Sequence, residues 1–83
     1  MKFIKFAATI INVENIMDLY INWLYNELPQ LEIKTSTKKV YAFPLDPDKD
    51  LGAMMDSITD FINGKKEENV LDLWEYADDE VEE

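Results

Sequence analysis

A chain of 83 residues has room for one hydrophobic core, since independent domains mostly run from ~50 to ~200 residues. Hydrophobic residues at 47% and aromatics at 12% are enough for a compact fold, while the absence of His and Cys excludes triads, thiol chemistry, disulfides and imidazole or thiolate metal sites. All eight basic residues are Lys, so no guanidinium can clamp a phosphate, and two glycines cannot build a glycine-rich phosphate loop.

The formal charge of −10 is unevenly placed. Residues 1–45 hold five Lys against four acids, a balance of +1, whereas residues 46–83 hold fourteen acids against three Lys, a balance of −11. From Glu67 onward there are nine acids and no base. Such asymmetry marks an interaction surface or a solvating tail, and its sign is opposite to that of a nucleic-acid binder.

In chain order, residues 2–11 alternate, with Ile4, Phe6, Ala8 and Ile10 on one face, the period of a half-buried strand. Lys5 interrupts the apolar opening and no small-residue cleavage site follows, so export is not expected. No run approaches the ~18–20 apolar residues of a membrane span, and a cytoplasmic chain is the expectation. Asn12 can cap a helix over 13–28, ended by Pro29. On that helix Leu19, Trp23, Ile16, Tyr20, Val13 and Leu24 fill an apolar arc of about 200°, more than one sheet face needs. Leu19 and Trp23 are then either covered by flanking elements or face a partner.

Leu31–Thr37 and Val40–Leu45 read as a hairpin, with Pro44 confining its second strand to an edge. Asp46-Pro47-Asp48-Lys49-Asp50 turns into a second helix, with Leu51, Met54, Met55, Ile58, Phe61 and Ile62 on one face, stopped by Gly64. The segment 67–83 fits a third helix. Val70, Leu73, Trp74, Ala77 and Val81 fall on one arc, and Glu68, Asp72, Glu75, Asp79 and Glu82 on the other. Its last turn, rich in acids at the negative end of the dipole, should fray. The expected fold is one α+β domain over 1–83, of order β-α-β-β-α-α: a three-stranded sheet covered by helices and ending in an acidic helix.

The turn at 46–50 alternates carboxylates like a calcium loop, but Leu51 and Ser57 stand where an EF-hand needs Gly and Glu. It reads as a turn whose Asp48 or Asp50 caps the helix, and no metal or other cofactor is expected. Neither Ser36 nor Ser57 has a histidine to activate it, so no catalytic residue is assigned and the chain is read as non-enzymatic. Lys34, Lys38 and Lys39 beside Tyr41 and Phe43 resemble a single-strand binder, but the overall charge repels phosphate. They read as lysines that protect a sheet edge.

The acidic helix is the favoured site. Nine carboxylates over 17 residues at ~1.5 Å rise give one charge per ~2.8 Å, between the ~1.7 Å of duplex DNA and the ~3.4 Å of a single strand. Glu68, Asp72, Glu75, Asp79 and Glu82 would meet the cations of a partner, with Asp56 and Asp60 in support and the 46–50 turn as an extension.

In length, in the Glu67–Glu83 acid run and in lacking catalytic residue types, the chain resembles the small acidic inhibitors encoded by phages, of anti-CRISPR, anti-restriction and DNA-mimic type. Its opening Met1-Lys2-Phe3-Ile4-Lys5 is also similar to the start of one anti-CRISPR. The resemblance implies occupation of the basic groove of a nucleic-acid-processing protein in the host cytosol, without direct binding to nucleic acid or membrane. The alternative is an interaction module or homodimer anchored by Leu19, Trp23, Trp74 and Tyr76. A third reading makes 67–83 a mobile peptide that orders on a partner.

Overall fold

The computed structural model describes residues 1–24 and 26–78. It is a small α+β domain with two three-stranded sheets and, among the described residues, one α-helix. The strands are β1 (Phe3–Phe6), β2 (Thr9–Asn12), β3 (Ile16–Asn22), β4 (Gln30–Thr35), β5 (Val40–Pro44) and β6 (Val70–Asp72), with helix α1 (Leu51–Ile62) between β5 and β6. The first sheet has the order β2-β1-β6, antiparallel then parallel; the second is β3-β4-β5, antiparallel throughout. The expected single sheet covered by helices is therefore corrected to two sheets and one helix.

The alternation over 2–11 belongs to two strands. The chain reverses at Ala7-Ala8, pairing Phe6 with Thr9 and Ile4 with Ile11. This turns Ile4, Phe6 and Ile11 inward and leaves Ile10, expected beside them, 59% exposed. Only Ala7 of the two turn residues has positive φ, at 54°, the pattern of a type II′ turn that favours glycine at that position. Ala7→Gly should accordingly stabilise the fold by about 1 kcal/mol. For a domain of this size that is a rise of roughly 4–8 °C in Tm, read by thermal unfolding.

Where a helix is expected over 13–28, the structure has a strand at Ile16–Asn22. Asn12 does cap, its side chain accepting the Glu14 N–H at 3.0 Å, but it caps only a single 3-10 turn, Val13–Asn15. The chain then extends as β3, paired with β4 from Asn22–Gln30 to Asp18–Lys34, with a bulge at Met17. Leu19 and Ile21 pair with the buried Ile33 and Leu31 on the inner face, while Asp18, Tyr20 and Asn22 lie on the outer one.

The hairpin forms as expected, and Pro44 does lie on an edge strand. Hydrogen bonds from Thr35 N–H to the Lys39 carbonyl (2.9 Å) and from Leu45 N–H to the Pro29 carbonyl (2.8 Å) place the hydrogen-bonded pairs at odd positions of β4. Pro44, opposite Gln30, thus sits where no ladder donor is required. Of the lysines expected to guard the edge, Lys34 lies on the central strand instead, and Lys39 stacks over the Tyr41 ring at 4.7 Å.

Helix α1 also follows the sequence. Asp50 Oδ1 accepts the Ala53 N–H at 2.9 Å as N-cap, and Leu51, Met54, Ile58 and Phe61 are buried. Gly64, at φ 79°, closes it in a Schellman motif, with Gly64 N–H to the Phe61 carbonyl and Lys65 N–H to the Asp60 carbonyl. Lys2 reaches the same end, its ammonium 2.9 Å from the Phe61 carbonyl, where the dipole favours a cation.

The acidic C-terminal helix is not formed over the described residues. β6 adds to β1 in parallel, pairing Ile4 with Leu71, and leads into a 3-10 turn at Trp74–Tyr76. Ala77 then makes an antiparallel bridge to Leu45, flanked by Asp46 N–H to the Tyr76 carbonyl (2.9 Å) and Asp78 N–H to the Pro44 carbonyl (3.2 Å). The segment 70–78 thus ties the first sheet to the second. Phe6 lies at this junction, stacked on Phe43 at 4.4 Å and edge-on to Trp74 at 6.2 Å. In this segment Leu73 and Ala77 are buried in the core, so 70–78 is docked on the fold.

A candidate protein-binding surface

The expected line of helical carboxylates is dispersed. Asp56 is exposed on α1, and Asp60 on the same helix is 3.8 Å from the Lys65 ammonium. Glu68 is exposed in the connection to β6. Asp72 lies on the outer face of the first sheet, its Oδ2 3.9 Å from Lys5 Nζ and its Oδ1 accepting the Trp74 N–H at 2.9 Å. Glu75 is exposed in the 3-10 turn. Asp79 and Glu82 lie outside the described residues.

A different acidic cluster is assembled by the Leu45–Ala77 bridge. The bridge sets the start of the 46–50 turn against 76–78, so Asp46 lies on the strand segment opposite Tyr76, Asp50 acts on the Tyr76 phenol together with Glu75, and Asp48 follows in the same turn. The turn is internally fixed: Asp46 Oδ1 accepts the Asp48 N–H at 2.9 Å, an Asx turn, and Asp50 caps α1. These carboxylates are thereby held on rigid backbone, as the turn-and-cap reading of the calcium-like run expects. An open cleft of about 290 Å³ runs between the two segments, lined by Lys49, Trp74, Glu75, Ala77 and Asp78.

Tyr76 lies within the field of Glu75 and Asp50. Burial, the charges of Glu75 and Asp50, and a hydrogen bond with Glu75 raise its phenol above the ordinary value near 10. Tyr20, on the outer face of the second sheet, is raised first by its hydrogen bond to Glu32 (3.0 Å), then by desolvation and the charges of Glu32 and Asp18. Asn22 Nδ2 donates to the other Glu32 oxygen at 2.7 Å, fixing the carboxylate. A raised phenol is held more tightly by the folded chain. Its stabilising contribution is therefore complete below pH ~10 and lost as pH rises through the folded value. In an ultraviolet tyrosinate titration, Tyr20 and Tyr76 should ionise above the ordinary range. Glu32→Gln should return Tyr20 toward that range and leave Tyr76 unmoved.

The apolar candidates separate. Leu19, Trp74 and Tyr76 pack against the core, whereas Trp23 is 66% exposed. No aromatic contact among the described residues joins Trp23 to Trp74, so they do not make one anchor. Phe43, considered as a base-stacking platform, is spent on Phe6. The 46–50 turn meets the segment of Glu75 and Asp78 only through a bridge between residues 32 positions apart. The sole local signal is the density of acids.

No helix among the described residues is long and apolar enough to cross a membrane. Comparisons with protein-family models, with curated proteins and with solved structures return no match, so the functional reading of this surface rests on its chemistry.

Proposed function

We propose that the chain is a non-enzymatic acidic inhibitor that occupies the basic, nucleic-acid-binding surface of a target protein, as phage-encoded anti-defence proteins of the DNA-mimic kind do. One observation carries the reading. The Leu45–Ala77 bridge brings the acidic 46–50 turn, with Asp46, Asp48 and Asp50, against the acidic 75–78 segment, with Glu75 and Asp78 lining a cleft beside Lys49. Among the described residues none of these carboxylates forms an ion pair. Unpaired carboxylates held together repel one another, and that repulsion is relieved when a partner supplies Lys or Arg. The missing His and Cys accord with a binding rather than a catalytic role.

Capture from a bacterial lysate on the immobilised protein, eluted stepwise with salt and separately with duplex DNA, tests this. The expected partner is a nuclease, repressor or polymerase that leaves at moderate salt and is displaced by DNA. A partner retained through high salt, or indifferent to DNA, rejects the reading.

A further inference from the structure

The free edge of β3 carries an inference beyond the acidic surface. Because odd positions of β4 bond to β5, its even positions bond to β3, and Asp18, Tyr20 and Asn22 direct their peptide groups to Lys34, Glu32 and Gln30. The peptide groups of Leu19 and Ile21 therefore point away from the sheet. Among the described residues nothing pairs with them. Other edges are guarded: β5 carries Pro44 and is bridged at its end by Ala77, while β2 and β6 are four and three residues long. By contrast β3 runs seven residues with neither Lys nor Pro, and its bulge at Met17 leaves 18–22 regular. Such an edge is a template for another strand.

We infer that a second copy of this chain pairs antiparallel along β3, joining two sheets into one of six strands about a two-fold axis at Tyr20. The charge along the edge favours this occupant. Asp18 is the one charged residue of β3 and lies opposite Lys34 on β4, so two copies can meet along this edge with less repulsion than along any surface of residues 46–83, which carry −11. The register is set by the peptide groups and the side chains. Leu19 exchanges hydrogen bonds with Ile21 of the other copy, and Asp18 faces Asn22 rather than a second carboxylate. Met17 and Trp23, 63% and 66% exposed, meet at each end of the ladder.

Tyr20 then faces its own copy at a non-hydrogen-bonded position, with Cα atoms ~4.5 Å apart, within disulfide range. The two copies of Asp18 lie about 13 Å or more apart. The chain has no cysteine, so single substitutions report cleanly. Sedimentation of the unmodified protein should show a concentration-dependent dimer that holds or tightens as salt rises. Under oxidation, Tyr20→Cys should give covalent dimer at least about tenfold faster than Asp18→Cys. Trp23→Lys should weaken the dimer, and adding Met17→Glu should restore it. Monomer at every concentration overturns the inference, as does a dimer in which Asp18→Cys crosslinks as fast as Tyr20→Cys or in which the charge pair fails to restore association. Because salt weakens acidic-surface binding and does not weaken this contact, either reading can fail alone.

Discussion

Phe6→Ala should take the chain to the limit of its stability. Phe6 is 2% exposed, and its ring meets Phe43 of β5 and Trp74 of the C-terminal turn. It therefore joins the first sheet, the second sheet and the segment that ties them. Truncating a buried Phe costs about 3–5 kcal/mol, from lost transfer energy and from the cavity left behind. Domains hold roughly 0.05–0.15 kcal/mol per residue, or about 4–12 kcal/mol for this length. Urea unfolding monitored by near-ultraviolet circular dichroism should show a midpoint greatly lowered or no folded baseline, with the Trp74 signal lost first. Phe6→Leu, which keeps most of the volume, should cost less than half as much. A midpoint unchanged by Phe6→Ala would mean that the sheets are held together elsewhere.

The same junction shows what is legible in the sequence. The 31–45 hairpin and α1 are readable because local periodicity, Pro44, the Asp50 cap and Gly64 all agree with the final packing. The segment 13–28 misleads because Ile16, Leu19, Tyr20, Trp23 and Leu24 fall at helical spacing. The alternation of Asp18-Leu19-Tyr20-Ile21-Asn22 is present, but the bulge at Met17 breaks its phase upstream. The choice between the two is made by β4, a partner whose pairing no local pattern announces. The turn at Ala7-Ala8 has no glycine, proline or asparagine to mark it.

Over 70–76 a strand places the charged Asp72 on one face with Val70, which makes a helix the better fit to the sequence alone. In the structure both occur on the outer face of the first sheet, where Val70 is 46% exposed and Asp72 lies beside Lys5. Helical periodicity is real but weaker than the burial gained by docking Leu71 and Leu73 on β1. The helical alignment of the expected carboxylates is absent for the same reason. It is drawn along one element, whereas the carboxylates that meet do so across a long-range bridge.

Neutralising that meeting point should abolish most of the electrostatic binding while sparing the fold. The variant combines Asp46→Asn, Asp48→Asn, Glu75→Gln and Asp78→Asn. Asn keeps the Asx turn that Asp46 makes with the Asp48 N–H, so backbone geometry is preserved. The Asp78 link to β5 runs through its own N–H to the Pro44 carbonyl and does not involve the side chain. Removing four like charges also relieves self-repulsion, so Tm should hold or rise. Against the DNA-displaceable partner, each exposed carboxylate meeting a Lys or Arg contributes up to about 1 kcal/mol at low salt, and more where water is excluded. Four together correspond to a rise in Kd of roughly 100-fold or more, and the salt dependence should flatten in parallel. Asp56→Asn with Asp60→Asn on α1 should have a much smaller effect, since those carboxylates stand apart from the bridge and Asp60 is already beside Lys65. Titration calorimetry at two salt concentrations measures both. Full binding by the quadruple variant would remove the acidic cluster as the site, whereas loss confined to the α1 pair would move the site to the helix.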